Sequence, residues 1–109
     1  MSLEVLLTED AQRDLGDLYR YILEHDGQER ADHVLERIQQ VVAGLAQHPQ
    51  RGSCPKELKA LGIRDYRQVF FKPYRLIYRV AGRRVYVLVL VDGRRDMQTL
   101  LARRLLFLE

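Results

Sequence analysis

The chain has 109 residues, 47% of them hydrophobic and 30% charged, with a formal net charge of +3. That length supports one domain spanning 1–109 around one core, and that hydrophobic content excludes a disordered chain. The longest apolar run, Val85–Val91, is far too short to cross a bilayer as a helix.

The charge is divided along the chain. Residues 1–50 carry four arginines, no lysine and ten acids, for −6; residues 51–109 carry fourteen Lys and Arg against five acids, for +9. The division predicts an acidic and a basic face, which either read different partners or attract each other. Cys54 is the only cysteine, so no intramolecular disulfide can form, which fits a reducing cytosol. It lies in the turn-rich run Arg51-Gly52-Ser53-Cys54-Pro55 and reads as a loop residue. Met1–Leu7 holds an acid and no basic stretch, which predicts no secretory leader and a cytoplasmic location.

Leu3–Leu7 reads as a short strand. Thr8 is placed to N-cap the next segment, with Glu9 and Asp10 in its first turn. Ala11, Leu15, Leu18, Tyr19, Ile22 and Leu23 then recur at helical spacing, with Arg13, Asp14, Asp17 and Arg20 on the opposite face. Asp26-Gly27 breaks the helix near His25, and Asp26 with Glu29 marks the start of the next. Ala31, Val34, Leu35, Ile38, Val41, Val42 and Leu45 form a second stripe that stops before Pro49. The short joint predicts an antiparallel helical hairpin.

Gln50–Gly62 reads as a connector with a short turn at Glu57–Leu61. The period then changes to two. Asp65–Phe71 and Tyr74–Val80 read as strands joined at Lys72-Pro73, and Tyr86–Val91, apolar on both faces, reads as the central strand. Met97, Leu100, Leu101, Leu105 and Leu108 make a terminal amphipathic helix with Arg103 and Arg104 on its outer face. The predicted fold is α+β: an N-terminal strand, a helical hairpin packed on a small antiparallel sheet, and a short C-terminal helix that covers the opposite face or hangs off it.

His25, His33 and His48 lack ligand spacing, so no metal site is predicted, and no phosphate loop or nucleophile elbow is present. The arginines remain. Arg75, Ile77 and Arg79 share one side of their strand; Arg67, Val69 and Phe71 share one side of theirs; Arg94 and Arg95 follow the central strand. Simple neighbour pairing would bring Arg67, Arg75 and Arg95 onto one concave surface. Arginine grips phosphate or carboxylate with a planar fork. Two chemistries suit this: RNA cleavage, for which proton-transfer groups are scarce after residue 48, or protein binding through tyrosine and arginine.

Four runs carry a family resemblance: HPQRG at His48–Gly52, LGIRDYR at Leu61–Arg67, YRLIYRV at Tyr74–Val80 and VDGRRDMQTLL at Val91–Leu101. In this order they resemble the RelE/ParE superfamily of bacterial type II toxins, nearest its ParE branch. The resemblance implies a small cytoplasmic toxin paired with an antitoxin in a hetero-oligomer, the antitoxin being a DNA-binding dimer, ParD-like or similar, whose tail wraps the toxin. RelE-branch toxins cut mRNA in the ribosome; ParE-type toxins block DNA gyrase. Arg75 and Arg95 match two arginines of the RelE branch, Arg67 matches in part, and the terminal proton-transfer position falls near Leu101. The resemblance therefore implies a gyrase inhibitor that acts by binding, with no catalytic residue, cofactor or metal. The alternative is a ribosome-dependent mRNA interferase. Arg67, Arg75, Arg94 and Arg95 are the expected target contacts, and Tyr74, Tyr78, Met97 and Leu101 the expected partner contacts.

Overall fold

The computed structural model describes residues 2–106. The elements are β1 (Glu4–Leu7), α1 (Glu9–Asp26), α2 (Gln28–Gly44), α3 (Lys56–Lys59), β2 (Tyr66–Phe71), β3 (Tyr74–Ala81), β4 (Arg84–Asp92) and α4 (Met97–Leu106). Thr8 caps α1 as its sequence position predicts: its Oγ1 accepts from the Ala11 N–H at 3.1 Å. The joint to α2 differs from expectation. Asp26 is the last residue of α1, and Gly27 alone separates the helices, at φ +91°. Its N–H donates to the Leu23 carbonyl, and its own carbonyl accepts from Ala31. A residue with a Cβ is strained at that φ, so the fold-back is a glycine feature and not an aspartate cap.

The strand order is β1-β4-β3-β2. β2, β3 and β4 pair antiparallel, but β1 runs parallel to β4, with Glu4 opposite Arg84 and Leu7 opposite Val87. The sheet is therefore mixed, not antiparallel throughout, because the hairpin carries the chain away from β1 and the last strand returns beside it in the same direction. β4 is interior, as its two-sided apolar run predicts.

Between Ile77 and Tyr78 the β3–β4 register slips by one, from Val89 to Val87, so Leu88 is a bulge residue. Val85, Val87 and Leu90 face the α1–α2 hairpin with Leu76 and Tyr78. Leu88, Val89 and Val91 face the other way, against Ile77, Tyr66 and the α4 residues Met97, Leu100 and Leu101. The sheet thus has an apolar core on each face, and α4 is docked over the second.

Two charged residues expected on outer helix faces are turned inward. Asp14 is only 8% exposed, and Arg104 reaches it from α4. Bonding along β1 ends where Thr8 N–H meets the Val87 carbonyl, which leaves the outer edge of β4 open beyond that point. There Asp14 Oδ2 accepts from the Leu90 N–H at 3.1 Å, and Arg104 Nη1 donates to the Leu88 carbonyl at 2.7 Å. The two side chains complete the edge where strand backbone is missing.

Candidate functional site

The arginines do not converge. β2–β3 register puts Arg67 opposite Tyr78 and Phe70 opposite Arg75. Arg67 therefore lies on the hairpin side of the sheet and Arg75 on the α4 side. Each is committed locally. Arg67 Nη1 donates to the Gln50 and Gly52 carbonyls at 3.1 and 2.6 Å. Tyr78, fully buried, donates its hydroxyl to the Pro49 carbonyl and accepts from the Gly52 N–H. A Cβ on Gly52 would sit 2.5 Å from the Gln68 carbonyl oxygen. The His48–Gly52 run is thus a tightly seated loop, and Tyr78, expected to meet a partner, instead anchors that loop from the core.

Arg75, expected at a target surface, is 7% exposed. Its Nη1 and Nη2 donate to Glu57 Oε2 and Oε1 at 2.9 and 3.1 Å, and Nη2 also donates to Gln68 Oε1. The Phe70 ring lies 5.8 Å from the guanidinium, and Gly93 packs on the aliphatic stem, where a Cβ would come within 3.0 Å of Cγ. Nε is buried with no partner. The Arg75 hydrogen bonds hold the Glu57 carboxyl below its ordinary range against the opposing effect of burial. Glu57 and Gln68, which enclose Arg75, lie eighteen and seven residues from it in sequence, and no local pattern marks them.

The two arginines after β4 behave differently. Arg94 folds back on Asp92, Nε to Oδ1 at 2.9 Å and Nη2 to Oδ2 at 2.7 Å, which lowers the Asp92 pKa. Arg95 is exposed and its side chain makes no ion pair or hydrogen bond among the described residues. Asp96 caps α4 through the Thr99 N–H and hydroxyl, at 3.1 and 2.8 Å. Met97 and Leu101, expected as partner contacts, are 3% and 2% exposed because α4 lays them against the sheet.

Arg94 and Arg95 border a groove of about 480 Å³ between α1 and the ends of β3 and β4. Leu18, Ile22, Leu90 and Tyr74 supply apolar lining, and Asp17 and Asp26 lie along its α1 wall. Burial raises the Tyr74 pKa, so its hydroxyl stays protonated and available as a hydrogen-bond donor. This groove collects Tyr74, Arg94 and Arg95 of the expected contacts, and leaves Arg67, Arg75, Tyr78, Met97 and Leu101 in the scaffold. Among the described residues no group of three or more His, Cys, Asp or Glu is placed to hold a metal ion, and no helix is long and apolar enough to cross a membrane.

A helical hairpin on a mixed four-stranded sheet with a C-terminal helix is the RelE/ParE-like α+β fold. The chain belongs to the ParE toxin family of type II toxin–antitoxin systems, whose model matches residues 5–97. It is 29% identical over 100 residues to Toxin ParE3 of Caulobacter vibrioides, covering 92% of this chain and 96% of that protein. Its fold is similar to that in a chromosomal ParDE system from P. aeruginosa, with a TM-score of 0.70 at 22% identity over 84% of this chain and 96% of that one. It is also similar to a free-state mutant of the E. coli toxin RelE, with a TM-score of 0.63 at 14% identity over 94% of this chain and 98% of that one. At such identities the structural likenesses speak to fold alone.

Proposed function

We propose that this toxin inhibits DNA gyrase by binding, without chemistry of its own, and that a cognate antitoxin neutralises it. The observation that carries the reading is the sequestration of Arg75. An RNA-cleaving site on this fold would need that arginine open to a phosphodiester, with a proton-transfer group nearby. Here its fork is filled by Glu57 and Gln68, and the terminal position at Leu101 is a buried aliphatic side chain. Membership of the ParE family supports the same reading.

The α1–β4 groove is the surface proposed for macromolecular contact, with Arg95 and Tyr74 as anchors. Its acids and arginines face each other across an apolar floor, so a protein segment with both signs of charge fits it better than a polyanion does. The test is a supercoiling assay with purified gyrase and increasing toxin, with and without antitoxin. Inhibition reversed by antitoxin is expected; supercoiling untouched at large excess of toxin would end the gyrase reading.

A further inference from the structure

We propose that the sheet around the β3–β4 turn binds single-stranded nucleic acid through Arg79, Arg83, Arg84 and Tyr86. Tyr78, Val85 and Val87 pack toward the α1–α2 hairpin, so alternation turns Arg79, Arg84 and Tyr86 to the opposite face. Register then fixes their neighbours. Leu6 stands opposite Tyr86, Tyr86 opposite Arg79, and Arg79 opposite Tyr66, in one row across all four strands. Arg84 lies two residues from Tyr86 along β4, about 7 Å away on the same face. Arg83 precedes it in the turn that Gly82 makes at φ +62°. The α4 residues pack farther along the strands, with Ile77, Leu88 and Val91. Arg79, Arg83 and Arg84 are left exposed, and Tyr86 and Leu6 half-buried.

Charge and aromatic surface together select the ligand. Among the described residues Arg79 and Arg83 enter no ion pair. Arg84 Nε donates to Glu4 Oε1 at 3.0 Å, but both side chains are more than half exposed, and so open a pair yields readily to a phosphate. Glu4 is the one carboxylate that strand alternation puts on this face at this end; Asp65, exposed, precedes β2. Guanidinium forks on an open sheet face suit the phosphates of a nucleic-acid backbone. Tyr86 and Leu6 add apolar surface beside those forks. A duplex keeps its bases stacked inside and leaves that surface bare, whereas a single strand lays a base on Tyr86 while its phosphates meet Arg79 and Arg84. β4 begins at Arg84 and ends at Asp92, so this patch and the groove bordered by Arg94 and Arg95 lie at opposite ends of the strand. Its occupation is independent of gyrase inhibition.

The test is fluorescence anisotropy of a short labelled oligothymidylate titrated with the full chain over a range of salt, beside a duplex of equal length and vesicles of anionic phospholipid. The oligothymidylate is expected to bind more tightly than the duplex, with affinity falling as salt rises. Arg79→Ala with Arg83→Ala, both at exposed and unpaired positions, should weaken binding about tenfold or more and make the logarithmic salt slope shallower by about 1.4. Tyr86→Leu should weaken it about fivefold or more, while Tyr86→Phe, which keeps the ring, should bind as the parent does. Arg13→Ala, which removes the same charge from the outer face of α1, should leave binding unchanged. No binding, preference for the duplex or the vesicles, parental binding by the Arg79 and Arg83 double variant, or an equal loss in Arg13→Ala would overturn the proposal. So would Tyr86→Leu binding as tightly as Tyr86→Phe.

Discussion

Asp14 and Arg104, ninety residues apart, meet in a two-pronged ion pair at 2.7 and 2.9 Å across the open edge of β4. Arg104 starts on the α4 side of the sheet and Asp14 on the hairpin side, so the pair straps the two faces together around an edge that β1 does not cover. Removing Arg104 leaves the buried Asp14 carboxylate without its counterion, whereas Arg104 without Asp14 keeps as counterion only a long contact of 3.8 Å to Asp10. Arg104→Met should therefore lower stability by about 3–5 kcal/mol in urea unfolding. Asp14→Leu combined with Arg104→Met should recover only part of this, because the Leu88 carbonyl and Leu90 N–H stay unsatisfied at about 1–3 kcal/mol. Full recovery in the double variant would show that the edge does not need the strap.

Arg75 and Arg95 should separate cleanly. Arg75→Ala strands Glu57 and should cost about 3–5 kcal/mol, whereas Arg95→Ala at an exposed, unpaired position should stay within about 0.5 kcal/mol. Arg95→Ala should nevertheless weaken gyrase inhibition. Equal stability of the two variants would contradict the assignment of Arg75 to the scaffold.

The Glu57–Arg75 pair also predicts an acid response. The Glu57 pKa is lowered in the fold, chiefly by the Arg75 hydrogen bonds. Its stabilisation is complete above the ordinary glutamate value and is lost as pH falls below that value and through the depressed folded one. Urea unfolding across that window should show a shallower acid limb in Glu57→Gln than in the parent chain. Superimposable limbs would mean that Glu57 does not contribute to acid sensitivity.

Gly52 and Tyr78 test the seating of the His48–Gly52 loop. Tyr78→Phe removes a donor to Pro49 and an acceptor for Gly52 N–H, and should cost about 1–3 kcal/mol. Gly52→Ala should also destabilise, because the new methyl would meet the backbone of Gln68 and that strand residue cannot swing away. Thermal melts of the two variants decide this. A neutral Gly52→Ala would show that the loop is not held against β2.

The helices and the central strand were legible because their apolar periods, near 3.6 and in a two-sided run, follow from local geometry. Side-chain parity within β2 and β3 was equally legible, since alternation is a property of one strand. Bringing Arg67 and Arg75 together was a different inference. It depends on the register between strands, and Tyr66 pairing with Arg79 places the two arginines on opposite faces. The Leu88 bulge left no mark because Val87, Leu88 and Val89 are all apolar and suit either face. Asp14 and Arg104 each fitted an outer helix face; their burial follows from where β1 stops, which no local pattern in either helix encodes. Of the proposed contact groove, Arg94, Arg95 and Tyr74 were recognised in the sequence, while its α1 wall emerged from packing.

The central claim is best tested by presenting one preparation of the toxin to two substrates in parallel: plasmid DNA with gyrase, and a translated message on ribosomes. The account predicts accumulation of linear DNA, reversed by antitoxin, with the message intact. A cut message beside unaffected plasmid would contradict it, and would mean that Arg75 is released from Glu57 when the ribosome binds.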